Sequence, residues 1–378
     1  MNFLCCCYDF GDNKRNLEIS RRKEKKSKKQ QTLDKIKELK TSIDRPKVWD
    51  ISRGDPNRMK TTEMANTFTI PSDDFKTEDD VLQSLGYKMS YFIDRGGFAE
   101  VHKVIHIETK LNVALKKIPV PEELDYTSQR KRMSLLSDIK NELCVFENIT
   151  HPHIIKMIDH FVIIKENQMT FYILMQFAAK GTLSKKLDQF GPFSERTCKV
   201  WFAQMLSALL YMHSKGFAHR DLKLSNILLD DSEDILISDF GLSRLVWRQS
   251  QDKQLMSKTY CGTPPYMAPE VLVIYTKRGA TYEARAADIW SLGVILYKLF
   301  TKEYPFPLTR AKAIKYMKHK RWQFSDKDNP SEDMKDILTK MFDPNPNSRP
   351  LAPDLCKHKW IKHAFDSVEQ KSVRIING

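Results

Sequence analysis

Two polar loops that adjoin short apolar runs constrain the fold of this chain more than any other feature. Residues 218–226 (AHRDLKLSN) lead into the run Ile227–Leu229, and residues 239–241 (DFG) follow the run Ile235–Ile237. Apolar runs of this length on either side of a turn predict two short paired strands. Such strands would frame the turn between them and join the two polar loops.

Four side chains of these loops suit phosphoryl transfer from ATP, a reaction that asks the protein mainly for positioning and charge neutralisation. Asp221 could accept a hydroxyl proton, and Lys223 could neutralise the transferring phosphoryl group. Asn226 and Asp239 present oxygens of the kind that magnesium prefers. An isolated Asp or Asn in a loop more often caps a turn, but the joint spacing makes that interpretation improbable.

The two loops resemble the catalytic loop and the magnesium loop of protein kinases. The resemblance implies an α+β, bilobal protein-kinase fold, with a small β-rich N-lobe that has one main helix and a larger, mostly α-helical C-lobe. It also implies ATP and Mg2+ as cofactors and protein substrates with Ser/Thr acceptors. Tyrosine is not the expected acceptor, because the tyrosine-kinase motif lacks a lysine at the position of Lys223.

A lysine and a glutamate upstream fit the same resemblance. Residues 113–116 (VALK) predict a buried strand that ends in Lys116, whose ammonium would reach the α and β phosphates of ATP. Glu142 lies on a following helical pattern, where it would pair with Lys116. Both residues are therefore predicted to be catalytic.

Three downstream residues are predicted to have structural roles. Glu270 in residues 268–270 (APE) closes the activation segment and would pair with Arg349 in the large lobe. Asp288 begins an apolar helix that resembles the anchor of that lobe.

The phosphate-covering loop matches the family pattern G-x-G-x-x-G-x-V least well. Residues 94–101 (DRGGFAEV) put Asp94 at the first glycine, Gly96 at the second and Ala99 at the third. Glycine suits such a loop because the backbone must approach phosphate closely and can adopt positive φ without a Cβ penalty. We expect Asp94 to weaken ATP binding without abolishing it.

The resemblance also implies a nucleotide pocket. Met175 stands at the gatekeeper position, so that Gln176, Phe177 and Ala178 would offer backbone groups to adenine. The residues predicted to bind the nucleotide are Gly96, Gly97, Phe98, Ala99, Val101, Ala114, Lys116, Met175, Gln176, Ala178 and Leu228.

Regulation is predicted from the stretch between the magnesium loop and Glu270. Thr259 is the candidate phosphorylation site, because its phosphate would face Arg220, beside the catalytic Asp, and could order the segment. Ser250 and Ser257 are weaker candidates. Thr263 is expected to hydrogen-bond to the catalytic-loop side chains instead.

The wider resemblance is to the calcium/calmodulin-kinase-like group, and most closely to testis-specific serine/threonine kinases. It rests on residues 81–87, 256–262 and 288–297. Thr182 and Ser225 stand where basophilic relatives often have Glu. A strong preference for arginine upstream of the acceptor is therefore not expected.

The composition agrees with a two-lobed catalytic unit, since the chain has 378 residues of which 41% are apolar. Seven cysteines without a signal peptide argue against a secreted disulfide framework, and Cys144, Cys198, Cys261 and Cys356 are interpreted as reduced thiols. No apolar run approaches the length of a membrane-spanning helix. A cytoplasmic protein is expected.

The N-terminus is a distinct basic region, because residues 1–40 hold twelve Lys/Arg and six Asp/Glu in a chain of net charge +14. A disordered tail or a frayed helix is predicted. Palmitoylation of Cys5, Cys6 and Cys7 together with the basic run would supply two signals for attachment to an anionic membrane. Nuclear localisation and a solvated tail without a dedicated role remain open alternatives.

The sequence is divided into four regions. They are a basic N-terminal tail with the Cys cluster (1–40), a linker (41–81), a kinase domain (82–363, with an N-lobe at about 82–175 and a C-lobe at about 179–363) and a C-terminal tail (364–378). Because only a short tail follows Trp360, no calmodulin-binding helix and no calcium control are expected.

Two other classes of protein compete with an active kinase. A catalytically weak kinase-like scaffold is motivated by the altered phosphate loop, although every group that would touch metal or transfer the proton is intact. A nucleic-acid binder rests only on the basic tail, which lacks the interleaved aromatic residues that stack on bases. We therefore predict an enzyme, with an upstream activating kinase as a further partner.

Overall fold

The computed structural model describes residues 68–71, 77–122, 125–165, 168–248, 253–275, 277 and 279–377. They form a small lobe built on a six-stranded sheet and a larger, mostly helical lobe, so the predicted α+β bilobal fold is confirmed. The predictions for residues 1–40, for most of the linker and for Ser250 lie outside the described residues and stay predictions.

The sheet of the small lobe has five antiparallel strands and a sixth, parallel one at its edge. The strands are β1 (Phe68–Pro71), β2 (Tyr87–Arg95), β3 (Glu100–His106), β4 (Asn112–Pro119), β5 (Met157–Lys165) and β6 (Gln168–Gln176), in the order β1-β5-β6-β4-β3-β2. Successive side chains of a strand point to opposite faces. Val113 and Leu115 of β4 therefore pack into the core of the small lobe, whereas Ala114 joins the cluster that continues into the large lobe.

One strand and the start of a helix lie within residues 41–81, for which the sequence predicts a linker. β1 pairs parallel to β5, and α1 (Glu78–Ser84) begins with a capping box between Thr77 and Asp80. Thr77 Oγ1 accepts from Asp80 N at 3.2 Å, and Asp80 Oδ2 accepts from Thr77 N at 3.0 Å. Part of the supposed acidic linker is thus the first turn of a helix, where negative charge is favourable.

The main helix of the small lobe is α2 (Tyr126–Asn148), which begins after the N-cap Asp125. Its buried residues Leu135, Ile139, Leu143 and Phe146 recur every three or four positions, as expected for a helix with one core-facing side. Glu142 lies on the same buried side. The helix therefore carries its one buried carboxylate toward the core that it shares with the large lobe.

The large lobe surrounds two long helices, α4 (Glu195–Ser214) and α6 (Ala284–Thr301). Ser194 caps α4 and Ser331 caps α8 (Glu332–Met341), as their positions before acidic first turns predict. The remaining elements are α3 (Leu183–Phe190), β7 (Phe217–Ala218), β8 (Ile227–Leu229), β9 (Ile235–Ile237), β10 (Arg244–Leu245), β11 (Trp247–Arg248), β12 (Lys253–Gln254), α5 (Pro269–Ile274), α7 (Arg310–Lys318), α9 (Ala352–Leu355) and α10 (Lys362–Asn377). β8 and β9 have the predicted bounds and pair antiparallel.

The predicted C-terminal tail, 364–378, largely belongs to α10. Phe365, Val368 and Ser372 of this helix are buried, and Glu369 accepts a hydrogen bond from Ser207 of α4. A helix therefore follows Trp360 where a short tail was predicted, because an apolar residue every three or four positions lets the segment pack on the large lobe. The expectation that no calmodulin-binding helix stands there stays a prediction. Among the described residues, no helix combines the length and the apolar character needed to cross a membrane.

Candidate active site

A buried carboxylate holds the backbone of the catalytic loop. Asp288, at 1% exposure, accepts from the His219 amide at 2.8 Å through Oδ2 and from the Arg220 amide at 2.8 Å through Oδ1. Arg220 has a φ of +71°, a left-handed conformation that is uncommon outside glycine. The two hydrogen bonds stabilise this conformation, and with it the direction in which the chain presents Asp221.

The Asp221 carboxylate is oriented by two neighbours. Lys223 Nζ donates to Oδ2 at 2.6 Å, and Thr263 Oγ1 donates to Oδ1 at 2.8 Å. Lys223 Nζ also donates to Thr263 Oγ1 at 3.1 Å, which is the contact expected of Thr263. The three groups form a closed network between the catalytic loop and the activation segment.

The two predicted magnesium ligands, Asn226 of the catalytic loop and Asp239 of the magnesium loop, present oxygens beside this network. Asn226 Nδ2 donates to the Asp221 carbonyl at 2.9 Å, so its Oδ1 is the end left to act as an acceptor. The Asp239 side chain is 48% exposed, and the Lys116 ammonium, 3.3 Å from Oδ1, lowers the pKa of this carboxyl below its ordinary value. An amide oxygen and an ionised carboxylate fit magnesium, a hard cation.

The described residues contain no group of three or more His, Cys, Asp or Glu side chains that could hold a metal ion alone. Magnesium usually binds to one or two carboxylates and completes its coordination with phosphate oxygens and water. Asn226 and Asp239 therefore fit a metal that arrives with a nucleotide.

Lys116 and Glu142 form the predicted pair. Lys116 Nζ lies 2.7 Å from Glu142 Oε1 and 2.8 Å from Oε2. Burial alone would lower the pKa of Lys116, but the carboxylates of Glu142 and Asp239 outweigh it and raise the pKa above its ordinary value. The side chain thus stays an ammonium in the cleft, where it can face phosphate.

A chain of rings, which the sequence analysis missed, joins the two lobes behind this pair. Phe146 packs edge to face on Phe240 at 5.5 Å between ring centroids, and Phe240 lies 5.3 Å from the His219 ring. Phe240 is fully buried. Phe146 stands one helical turn after Glu142, and this spacing is the signal that could have identified it.

The residues predicted to surround adenine come together. Ala114 and Met175 are buried members of one apolar cluster, and Ala99, Val101, Phe177, Ala178 and Leu228 pack against it while partly exposed. Met175 ends the buried part of β6, and the Gln176 amide donates to the Lys156 carbonyl at 2.9 Å. The cleft thus offers an apolar slot beside the backbone of residues 176–178.

The tip of the phosphate loop differs from the expectation in one respect. Gly96 N donates to Ala99 O at 2.8 Å, which closes a tight turn with Phe98 63% exposed at its end. Gly96 and Gly97 do not have positive φ, and a Cβ on either would meet no atom closer than 3.7 Å. Left-handed backbone is therefore not the reason for these glycines, and the open space around them leaves room for a ligand to approach the backbone closely.

Asp94 has a partner across the mouth of the cleft that the sequence analysis did not identify. Its Oδ2 accepts from Lys185 Nζ at 2.7 Å, with the two side chains 54% and 63% exposed. Lys185 lies on α3 of the large lobe. The hydrogen bond from Lys185 lowers the pKa of Asp94 below its ordinary value. The charge expected to repel nucleotide is thus neutralised locally, though an exposed pair of this kind contributes only about 0–1 kcal/mol.

Arg220 also contacts the activation segment. Its Nε donates to Tyr282 Oη at 3.2 Å and its Nη2 to Cys261 Sγ at 2.7 Å. Tyr282 Oη in turn donates to the Thr259 carbonyl at 3.3 Å, and the Thr259 side chain is exposed. The Tyr282 hydroxyl therefore connects the Arg220 guanidinium to the backbone of Thr259, the candidate phosphorylation site.

Gly262 is a further residue that the sequence analysis missed. Its φ is +110°, and a Cβ built on it would lie 2.8 Å from the Arg220 carbonyl oxygen and 3.7 Å from Asp221 Oδ1. Here a glycine is required both by backbone conformation and by contact. Its position directly before Thr263 is the signal that could have identified it.

The end of the activation segment is attached to the large lobe by an ion pair. Arg349, at 3% exposure, donates to both Glu270 oxygens, at 2.7 and 3.0 Å, and to the Ala286 carbonyl at 2.7 Å. Glu270 and Arg349 thus form the ion pair that the sequence predicts. The pair holds the start of α5 against α6.

Comparison with known proteins agrees with this geometry. A family model described as the protein kinase domain matches residues 87–361. CBL-interacting serine/threonine-protein kinase 13 of Arabidopsis thaliana is 34% identical over 283 residues, which are 75% of this chain and 52% of that protein. Serine/threonine-protein kinase kin-29 of Caenorhabditis elegans is 34% identical over 296 residues, which are 76% of this chain and 32% of that protein. This chain matches about half the length of its plant relative.

A bilobal fold with a lysine–glutamate pair and two polar loops in its cleft defines a nucleotide-dependent phosphotransfer domain. The chain belongs to the protein kinase family, and the two relatives named above are serine/threonine kinases. Protein kinases in general use ATP and magnesium.

Replacing Gly262 with Ala is expected to reduce phosphoryl transfer by about 100-fold, because a displaced activation segment would misplace Asp221. Initial rates and the thermal unfolding midpoint should be measured together. Gly191→Ala is the matched control, since Gly191 also has positive φ, at +78°, but a Cβ there would meet nothing within 4 Å. Equal losses in both variants would contradict the contact with the catalytic loop.

Replacing Asp94 with Gly is expected to tighten ATP binding by about two- to fivefold, and Lys185→Met to weaken it similarly, because the second change leaves the Asp94 charge unpaired. The double variant should resemble Asp94→Gly. Nucleotide Kd values measured by titration provide the check, with Lys186→Met as control because Lys186 pairs with Glu233 instead. An unchanged Kd in Asp94→Gly would refute the effect of Asp94 on nucleotide.

Proposed function

We propose that this protein transfers the γ-phosphoryl group of ATP to Ser or Thr hydroxyls of protein substrates. In this reaction the bond between the γ-phosphorus and the ADP oxygen breaks, and a bond from phosphorus to the acceptor oxygen forms. Asp221 accepts the acceptor proton. Lys223, 2.6 Å from Asp221 and 3.1 Å from Thr263, neutralises the phosphoryl group in transfer.

Lys116 binds the α and β phosphates, since its charge is maintained by Glu142 and Asp239. Asn226 and Asp239 would hold magnesium, which neutralises the phosphate charge when it is bound. Ala114, Met175 and their neighbours exclude water from the adenine side. The observation that carries the proposal is the Asp221–Lys223–Thr263 network, because it places a base and a cation side by side in a fold that also forms the Lys116–Glu142 pair.

Serine or threonine is the proposed acceptor because Lys223 takes part in that network, and the named relatives are serine/threonine kinases. A closer relation to testis-specific serine/threonine kinases is also proposed, on residues 81–87, 256–262 and 288–297 alone. The division into a basic tail, a linker and a kinase domain stays a proposal as well. Protein substrates and an upstream activating kinase are the proposed partners.

Replacing Asp221 with Asn is expected to lower phosphate transfer by about 10²- to 10⁴-fold, because the variant lacks the base while its size is unchanged. Labelled phosphate transfer from magnesium ATP to serine/threonine peptides is the measurement. ATP binding by the variant should match the wild type, which separates lost chemistry from lost folding. No transfer by the wild type, even after Thr259 is phosphorylated, would instead favour the scaffold.

We further propose that phosphorylation of Thr259 activates the protein. The exposed hydroxyl would gain nearly two negative charges close to Arg220, whose guanidinium already approaches residue 259 through Tyr282. A charge-assisted pair there would replace the neutral Tyr282 and Cys261 contacts and hold the segment that carries Thr263.

Replacing Thr259 with Ala is expected to lower turnover by about tenfold or more relative to the phosphorylated wild type, because the segment loses this pair. Steady-state rates before and after phosphatase treatment provide the check, and the treated wild type should fall to the level of the variant. Ser257→Ala is the control, since Ser257 is buried at 9% exposure. Turnover that is the same in the variant and the phosphorylated wild type would count against Thr259.

A further inference from the structure

Helix α7 and the residues after it form a strongly basic segment of the large lobe. Residues 304–325 contain Arg310, Lys312, Lys315, Lys318, Lys320 and Arg321 but no Asp or Glu. Lys312, Lys315 and Lys318 recur every three residues, so that each lies beside the next on the helix surface, where like charges repel. Folding alone does not account for this arrangement.

Most of these charges have no carboxylate partner in the part of the chain that the structure describes. Ala313 and Met317 anchor the helix to the core, whereas Lys312, Lys315, Lys318 and Arg321 are exposed. Lys320 does have a partner, because its Nζ lies 3.6 Å from Asp343 Oδ2. Over the described ranges, no carboxylate forms an ion pair with the four exposed residues. We call Lys312, Lys315, Lys318 and Arg321 the α7 basic face.

The start of α7 is attached to the activation segment. Arg310 donates to the Leu272 carbonyl in α5, and its guanidinium lies 5.4 Å from the Tyr260 ring centroid and 4.3 Å from that of Tyr275. Tyr260 stands three residues before Thr263, which binds Asp221. A protein that brings a hydroxyl to Asp221 therefore passes near the N-terminal end of α7.

Exposed apolar side chains accompany the charges. Tyr275 is 69% exposed, Leu308 65% and Tyr316 38%. A surface that mixes large apolar groups with unpaired cations fits a polypeptide that carries both carboxylates and apolar residues. A bilayer is a poorer fit, because it would lie across the surface on which the substrate protein must reach Asp221.

We propose that the α7 basic face is a docking surface for an acidic segment of the protein substrate, located at some distance along the chain from the acceptor hydroxyl. The proposal rests on the proposed kinase function and names a substrate class for it. Long-range attraction of this kind raises the rate of association and weakens as ionic strength rises. It acts on KM and leaves kcat unchanged, because the lysines are not among the groups that touch ATP or the acceptor.

The test uses the full chain and two pools of serine/threonine peptides that differ only in a distal block of four Glu or four Gln, placed at several spacings. We expect kcat/KM to favour the Glu pool by about tenfold at low salt, and the preference to disappear in the triple variant Lys312→Gln, Lys315→Gln, Lys318→Gln. The matched control is Lys357→Gln, Lys362→Gln, Lys371→Gln, which removes as many exposed charges elsewhere. An equal preference in wild type and triple variant would overturn the proposal.

A binding measurement that needs no catalysis accompanies the kinetics. Fluorescent Glu-block peptide should bind wild type and control more tightly than the triple variant, and this difference should vanish at high salt. Residues 1–40 are also basic and are the same in wild type, control and triple variant. The result is therefore the difference in peptide affinity between these three proteins and not the affinity of any one of them. Loss of affinity for phosphatidylserine vesicles or for single-stranded RNA in the triple variant, without loss for the peptide, would assign the face to those partners and overturn the proposal.

The two readouts separate this inference from the kinase function. If neither peptide pool is phosphorylated by any protein, the proposed function fails, while the binding difference still decides whether the α7 basic face holds acidic polypeptide. If both pools are phosphorylated equally, the kinase function stands and docking is overturned. The thermal unfolding midpoint of the triple variant should be no lower than that of the control, since the exchanged side chains are exposed and the exchange removes repulsion between neighbouring lysines.

Discussion

The arrangement of the cleft depends on one buried carboxylate, Asp288 at the start of α6. A charge at 1% exposure is costly unless several donors surround it. Here the His219 and Arg220 amides donate at 2.8 Å, and the His213 ring lies at 2.9 Å. This cost constrains the loop. If the backbone left its left-handed conformation at Arg220, the Asp288 carboxylate would lose its amide donors and remain buried without them. The backbone that carries Asp221 is therefore held by the core of the large lobe, while Lys223 and Thr263 orient its carboxylate.

A second set of contacts connects this loop to the small lobe. The rings of Phe146, Phe240 and His219 follow one another from α2 to the residue whose amide binds Asp288. Glu142, four residues before Phe146, holds Lys116 on the sheet. A displacement of α2 would disturb the ion pair and the ring contacts together. The position of this helix therefore determines two structural links to the cleft at once.

The parts of the structure that could be predicted from sequence are those determined by local patterns. β8 and β9 follow from two apolar triplets on either side of a turn, and Ser194 and Ser331 cap helices because each precedes an acidic first turn. The missed parts depend on distant partners. β1 is four residues long and pairs with a strand about ninety residues away. Lys185 looks like one of many surface lysines until the fold brings it 2.7 Å from Asp94. Gly262 is needed because of the Arg220 carbonyl, a distant contact to which only its place before Thr263 points in the sequence.

The distribution of positive charge separates the residues that build the cleft from those left for a partner. Lys116, Lys223 and Arg349 each lie within 3 Å of a carboxylate, so their charges are used inside the molecule to position the reacting groups. Arg310 is used in the same way against a carbonyl and two rings. The cations further along α7 have no such partner in the described chain, although they repel one another. Since these charges form no ion pair among the described residues, we assign them to a partner that approaches the activation segment from outside.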